Sequence, residues 1–120
     1  MSEDGTFLEP ETTFVRKDWG YEYWFVNCDK YCGKLIVCRD NVWSSGGRYH
    51  YHANKDETFF VLNGELELDV EGEGSIFLKH LCSFRIRPFR KHRFRNVGEK
   101  NCRFIEVSTH HEDSDSYRVD

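Results

Sequence analysis

His50-Tyr51-His52 sets two imidazoles two residues apart. In an extended chain such a pair projects to one face, about 6 to 7 Å apart at the backbone, so both rings can converge on one ion. Glu57 follows five residues after His52, at the start of the next extended run, from which its carboxylate reaches back across the turn. His92 opens a later run, with Phe94 and Asn96 on its own face. Three imidazoles and one carboxylate form a mixed nitrogen and oxygen donor set that suits one divalent first-row metal, with Zn, Fe, Mn, Ni and Co all admissible. Four such donors leave two octahedral positions for water or substrate. The bland reading of the same residues is a set of histidines that pack or hydrogen-bond without metal.

The elements that must position these groups are short. Runs of strand character occupy residues 21–26, 34–38, 48–52, 58–62, 65–70, 75–80, 83–87, 92–97 and 102–107. Between them lie turn signals at Ser44-Ser45-Gly46-Gly47, Asn63-Gly64, Glu71-Gly72-Glu73-Gly74, Pro88 and Gly98. Asn63-Gly64 is the strongest of these, predicting a two-residue hairpin that ties 58–62 antiparallel to 65–70. Composition agrees, since aromatic residues make up 16% of the 120-residue chain against a single alanine and a single methionine. Such a balance favours pleated surfaces over helices, and the expected fold is an all-β sandwich or barrel in one domain. The acidic first dozen residues are expected to form a mobile arm or an added edge strand. From Thr109 a polar surface tail is expected, with Tyr117 and Val119 as anchors.

No apolar run is long enough to span a bilayer, and Met-Ser-Glu-Asp-Gly lacks the basic start of a signal peptide, so a cytoplasmic protein without membrane contact is expected. The five cysteines, Cys28, Cys32, Cys38, Cys82 and Cys102, are odd in number and scattered, which predicts reduced thiols acting as small buried hydrophobes. The net charge of −4 hides a basic stretch, since residues 79–103 hold nine of the seventeen basic side chains. Arg85, Arg87, Arg93 and Arg95 alternate with apolar or uncharged residues, as Glu65, Glu67 and Asp69 do on another run. Oppositely charged outer faces of neighbouring strands are expected, and no nucleic-acid partner.

The spacing His50, His52, Glu57, Gly64 resembles the first cupin motif from histidine to glycine, and Pro88, His92 and Asn96 resemble most of the second. Ser44 stands where the first motif opens on glycine, and Arg87 and Phe89 stand at the second motif's proline and glycine. The resemblance implies a single-domain cupin: a double-stranded β-helix, or jelly-roll barrel, of two antiparallel sheets over residues 14–108, flanked by an arm at 1–13 and a tail at 109–120. It also implies that His50, His52, Glu57 and His92 are the metal ligands. Trp19-Gly20-Tyr21-Glu22, Asp56-Glu57-Thr58 and Phe104-Ile105-Glu106-Val107 are similar to small cupins related to the type II mannose-6-phosphate isomerase domain and to cupin sugar isomerases.

That finer resemblance implies isomerase chemistry on a sugar or sugar phosphate, with a metal polarising the carbonyl and a base moving a proton between the first two sugar carbons. Glu106 is the candidate base, although strand parity leaves open whether Glu106 or Ile105 faces inward. Arg48, on the face of His50 and His52 by the two-residue period, is the candidate cation for a substrate anion or for Glu57 or Glu106. Lys55 and Lys91 are candidates for the substrate rim. An iron-dependent dioxygenase and a non-catalytic module for a small ligand or sugar remain the alternatives. Tyr49 and Tyr51 point opposite to the histidines, and Phe59 and Phe60 lie on both faces of one strand, so apolar surface is expected outside the barrel as well as within, to be covered by a second copy in a homodimer or by the N-terminal arm.

Overall fold

Side chains along the strands alternate between the barrel interior and its surroundings, and on four of the strands the inward series is apolar at one end and polar at the other. The computed structural model describes residues 12–39 and 41–119. Strands β1 (Thr13–Lys17), β2 (Gly20–Asn27), β3 (Cys32–Cys38), β5 (Glu57–Asn63), β8 (Ser83–Ile86) and β10 (Cys102–Ser108) form one antiparallel sheet in the order β1-β2-β3-β10-β5-β8. Strands β4 (Tyr49–Tyr51), β6 (Leu66–Val70), β7 (Gly74–Leu78), β9 (His92–Asn96) and β11 (Tyr117–Val119) form the other in the order β11-β4-β9-β6-β7. Two short 3-10 turns, Ser44–Gly47 and Asp113–Asp115, are the only helical pieces among the described residues.

Phe59 and Val61 on β5, Phe104 and Cys102 on β10, Ile36 and Cys38 on β3 and Phe94 on β9 fill the apolar end. The rings of Phe59, Phe94 and Phe104 meet at centroid distances of 4.8 to 5.7 Å, and Trp19 stands edge-on to Phe94 at 5.1 Å. Each such buried side chain contributes about 1.5–3 kcal/mol by leaving water. Continuing one step inward along the same strands gives Glu57 before Phe59, Glu106 after Phe104, Lys34 before Ile36 and His92 before Phe94, all buried. The polar end is therefore the same barrel interior, with its chemistry changed one residue pair at a time.

Each of the nine expected runs is a strand, with ends moved by at most two residues. Two strands were not foreseen. β1 pairs with β2, and β11 pairs with β4, so the sheets extend beyond residues 14–108 at both ends. Most of the expected arm, residues 1–11, lies outside the described residues.

Asn63-Gly64 does not close a hairpin, because β5 and β6 belong to different sheets. Gly64 has φ +90°, but Asn63 is not in the left-handed region that a type I′ turn demands at both positions. The glycine answers a close approach instead: a Cβ at this position would stand 2.7 Å from Cys102 Cα and 2.9 Å from the Asn101 carbonyl oxygen. The turn thus passes the chain from one sheet to the other against β10.

The charged outer faces pair as expected on β6 and β9. Arg93 stands opposite Asp69 and Arg95 opposite Glu67, each ion pair at 2.9 Å. Trp43 lies under both guanidiniums at 4.2 and 4.4 Å. Arg85 departs from the expectation, since β8 belongs to the other sheet, where its guanidinium pairs with Asp56. All five cysteines are free thiols; Cys32, Cys38 and Cys102 are buried, whereas Cys82 is exposed and Cys28 half-buried. Burial pushes the Cys102 thiol up to about 12, which makes it an inert apolar group.

Candidate metal centre

Cross-strand register brings the histidines together. β4 pairs with β9 with His50 opposite His92, and His52 follows two residues after His50 on the same side. One ring nitrogen from each of the three lies within 4.8 Å of the others. Their rings meet at centroid distances of 4.2 Å for His50 and His92, and 5.3 Å for His50 and His52. Glu57 enters from the opposing sheet, with Oε2 at 3.3 Å from His92 Nε2 and 3.5 Å from His52 Nε2.

The remaining ring nitrogens are already engaged. His92 Nδ1 donates to the Arg90 carbonyl at 2.8 Å, His52 Nδ1 donates to the Asp115 carbonyl at 3.0 Å, and His50 Nδ1 lies 3.3 Å from Ser45 Oγ. A carbonyl oxygen only accepts, so in His52 and His92 the proton sits on Nδ1 and the lone pair of Nε2 faces inward. Burial pushes the basicity of His50 well below the ordinary value and lowers that of His52, so both favour the neutral, ligating form. Burial alone would raise the Glu57 carboxyl, but the nearby Lys55 ammonium holds it well below the usual range.

The result is one hydrogen-bond acceptor, an electron-pair donor, facing another. Glu57 Oε2 and His92 Nε2 are buried and make no hydrogen bond, although they lie 3.3 Å apart. Two such groups left unsatisfied in the interior would cost several kcal/mol. A divalent cation between them removes that cost, and the oriented Nδ1–H groups are the usual support of a metal-binding histidine. The residues present fit the metal, with His50, His52, His92 and Glu57 as donors.

Beside the histidines a cavity of about 130 Å³ is lined by Glu22, Trp24, Lys34, Lys55 and Glu106 among others. Glu106 faces inward and is 5% exposed, which resolves its parity against Ile105. Its Oε2 accepts from Lys55 Nζ at 2.9 Å and lies 3.9 Å from Lys34 Nζ. Lys55 is 3% exposed and also pairs with Glu57 at 3.5 Å. It is therefore an interior cation, not a rim residue, because the loop that carries it is pinned inward by Asp115, which accepts from the backbone N–H groups of Ala53 and Asn54 at 3.0 Å.

Two other sequence candidates are placed elsewhere. Arg48 has an extended backbone, is exposed, and lines the hollow that adjoins the cavity rather than the cavity itself. Lys91 points away from the cavity and pairs with Glu71 at 3.8 Å.

The tail supplies what sequence reasoning missed. His111 is buried, hydrogen-bonded to Lys55 Nζ at 3.1 Å and to Asp113 at 2.9 Å, and burial, followed by Lys34 and Lys55, lowers its basicity to about 4. Lys34 stacks on Trp24 at 4.2 Å, and lies 3.9 Å from Glu22. The inward parity of Lys34 between buried Cys32 and Ile36 was readable from strand period; nothing periodic pointed to His111 or Asp115 in an acidic tail.

The Staphylococcus aureus capsular polysaccharide assembling protein CapF is 17% identical, with a TM-score of 0.77, over 91% of this chain and 34% of its own. KdgF from Halomonas sp. is 16% identical, with a TM-score of 0.73, over 92% of this chain and 97% of its own. Likeness at this identity shows the fold alone. By sequence, the polyketide synthase CurC of Streptomyces cyaneus is 38% identical over 56 residues, which are 47% of this chain and 36% of CurC. The chain spans about a third of the length of the curated relatives it matches. The family described as Cupin domain matches residues 43–108, the segment that holds all four donors.

Proposed function

The chain belongs to the cupin domain family, and from that premise we propose that it binds one divalent transition metal and acts on a small sugar or sugar phosphate by proton transfer between neighbouring carbons. The observation that carries the reading is the buried convergence of Glu57 Oε2 and His92 Nε2 with His50 and His52, beside a cavity that also contains an inward carboxylate, Glu106. Bound there, a Zn, Fe, Mn, Ni or Co ion would supply Lewis acidity toward a carbonyl oxygen.

The chain's own residues do the rest. Glu106 takes the proton from one sugar carbon and returns it to the next, while the neighbouring hydroxyl proton passes to the former carbonyl oxygen, so one C–H and one O–H bond break and one of each forms. Lys55, donating to Glu106 at 2.9 Å, fixes its orientation between turnovers. His52 and His92 hold their lone pairs inward through the Asp115 and Arg90 carbonyls. The fully apolar floor of Phe59, Phe94 and Phe104 excludes water from below. The carbohydrate assignment draws support from the polar lining with Trp19 and Trp24, and from the capsular polysaccharide role in the name of CapF.

Incubation of the metal-loaded protein with aldose and ketose phosphates in heavy water is expected to place deuterium at the second carbon. Glu106→Gln should slow that exchange by about 100-fold or more while keeping its metal. Iron-dependent oxygen uptake without exchange would establish the dioxygenase in its place, and saturable sugar binding with neither would establish a non-catalytic module.

The free thiols suit a reducing, cytoplasmic setting. We assign the aromatic row on β1 and β2, where Phe14, Tyr23 and Phe25 are 37 to 48% exposed, to a second copy of the chain in a homodimer. Sedimentation is expected to give twice the chain mass at micromolar concentration; monomer only would contradict the assignment.

A further inference from the structure

The cavity beside the histidines, at about 130 Å³, is smaller than the roughly 300–1,000 Å³ of sites that enclose a whole ligand. It admits a small polar fragment, and the rest of any larger ligand must lie at its mouth. That mouth opens into a shallower hollow of about 350 Å³, which shares Lys17, Trp19, Ser45 and Arg118 with the cavity and adds Arg16, Asp18 and Arg48. Its charged lining is four cations and one carboxylate.

Register fixes where Arg118 stands. β11 pairs with β4 with Arg118 opposite His50, and β4 pairs with β9 with His50 opposite His92. Residues directly opposite in antiparallel strands share a face, with Cβ atoms about 4.5–5.5 Å apart. Arg118 therefore continues the row His92, His50 toward solvent on the cavity side. Lys17, at the end of β1 in the other sheet, lines the same two spaces. Among the described residues no ion pair joins Lys17 or Arg118 to a carboxylate. Asp113, which also lines the cavity, is hydrogen-bonded to His111. Deeper inside, the lysines are spent: Lys55 and Lys34 answer Glu57, Glu106 and Glu22. At the mouth, Lys17 and Arg118 have no carboxylate at ion-pair distance among the described residues, and Lys17 acts on Asp113 only from further away, helping to lower its carboxyl.

We propose that Arg118 and Lys17 form an anion-binding site at the cavity mouth, which holds a phosphate or carboxylate of the substrate while its uncharged end reaches the histidines. The guanidinium offers a planar pair of N–H donors to an oxyanion and the ammonium a point charge beside it. This rests on the reading of the cavity as the substrate site, and it makes that substrate an anion, such as a sugar phosphate or a sugar acid.

Calorimetric titration of the whole chain, stripped of metal, with inorganic phosphate and separately with acetate tests it. One of the two probes is expected to saturate a single site per chain; phosphate saturation alone identifies a phosphoryl group, acetate saturation alone a carboxylate. The double variant Lys17→Gln, Arg118→Gln should weaken that binding at least tenfold, with metal uptake and thermal unfolding unchanged. Binding should persist in His50→Ala, so loss of the metal site leaves this result standing. Absence of binding by both probes, or binding indifferent to the double variant, would overturn the proposal.

Discussion

Lys55→Met is expected to lower the stability of the metal-free protein by about 3–5 kcal/mol, the scale for removing one partner of a buried ion pair. Lys55 is 3% exposed and is the ammonium nearest to two buried carboxylates, Glu106 at 2.9 Å and Glu57 at 3.5 Å. Methionine fills the volume but leaves both charges in the interior, with Lys34 at 3.9 Å as the remaining cation for Glu106. Burial by itself would depress the Lys55 ammonium, yet the carboxylates of Glu106 and then Glu57 raise it above its ordinary value, so Lys55 stays charged throughout the working range. In a domain whose total stability is about 5–15 kcal/mol this loss is large, and thermal unfolding should fall by roughly 10–20 °C. Adding Glu106→Gln to Lys55→Met should recover a substantial part of it, because one of the stranded charges is then gone. Equal stability of Lys55→Met and the parent in calorimetry would remove the interior ion-pair network from the account.

Glu57→Gln is expected to separate metal binding from folding. The amide keeps the shape of the carboxylate but not its charge, so affinity for a divalent ion should fall by about 100-fold or more, beyond the usual effect of disturbing a ligand's support. The metal-free protein should nevertheless retain its stability within about 1 kcal/mol, because an amide N–H can donate to the inward lone pair of His92 Nε2 that now has no partner. A purely structural Glu57 predicts the reverse, namely loss of stability and no change in metal uptake. Competition with a chelating dye, read beside urea unfolding, distinguishes the two.

The strands and the four candidate ligands were legible because both obey short-range period. His50 and His52 share a face by the two-residue repeat, and Glu57 and His92 each begin a strand whose next inward residues are Phe59 and Phe94. What period could not reveal was which sheet a strand joins. Asn63-Gly64 read as a hairpin, and only the approach of Gly64 to Cys102 shows why a glycine is needed at a crossover. The same blindness misplaced Lys55, and left the setting of Arg48 undetermined. Their orientation depends on non-repetitive segments, the loop held by Asp115 and the turn Ser44–Gly47, whose conformations are set by contacts far along the chain. The tail was the largest omission. Its acidity suggested solvent, yet β11, His111 and Asp115 complete the open side of the cavity through backbone pairing and buried hydrogen bonds that leave no periodic trace.

The measurement that tests the central claim most directly is the metal-to-protein ratio of the purified chain, by elemental analysis after equilibration with limiting transition metals and gel filtration. One divalent ion per chain, lost in His50→Ala and in Glu57→Gln, is the predicted result; a ratio near zero for every metal offered, or one ion retained in both variants, would contradict it.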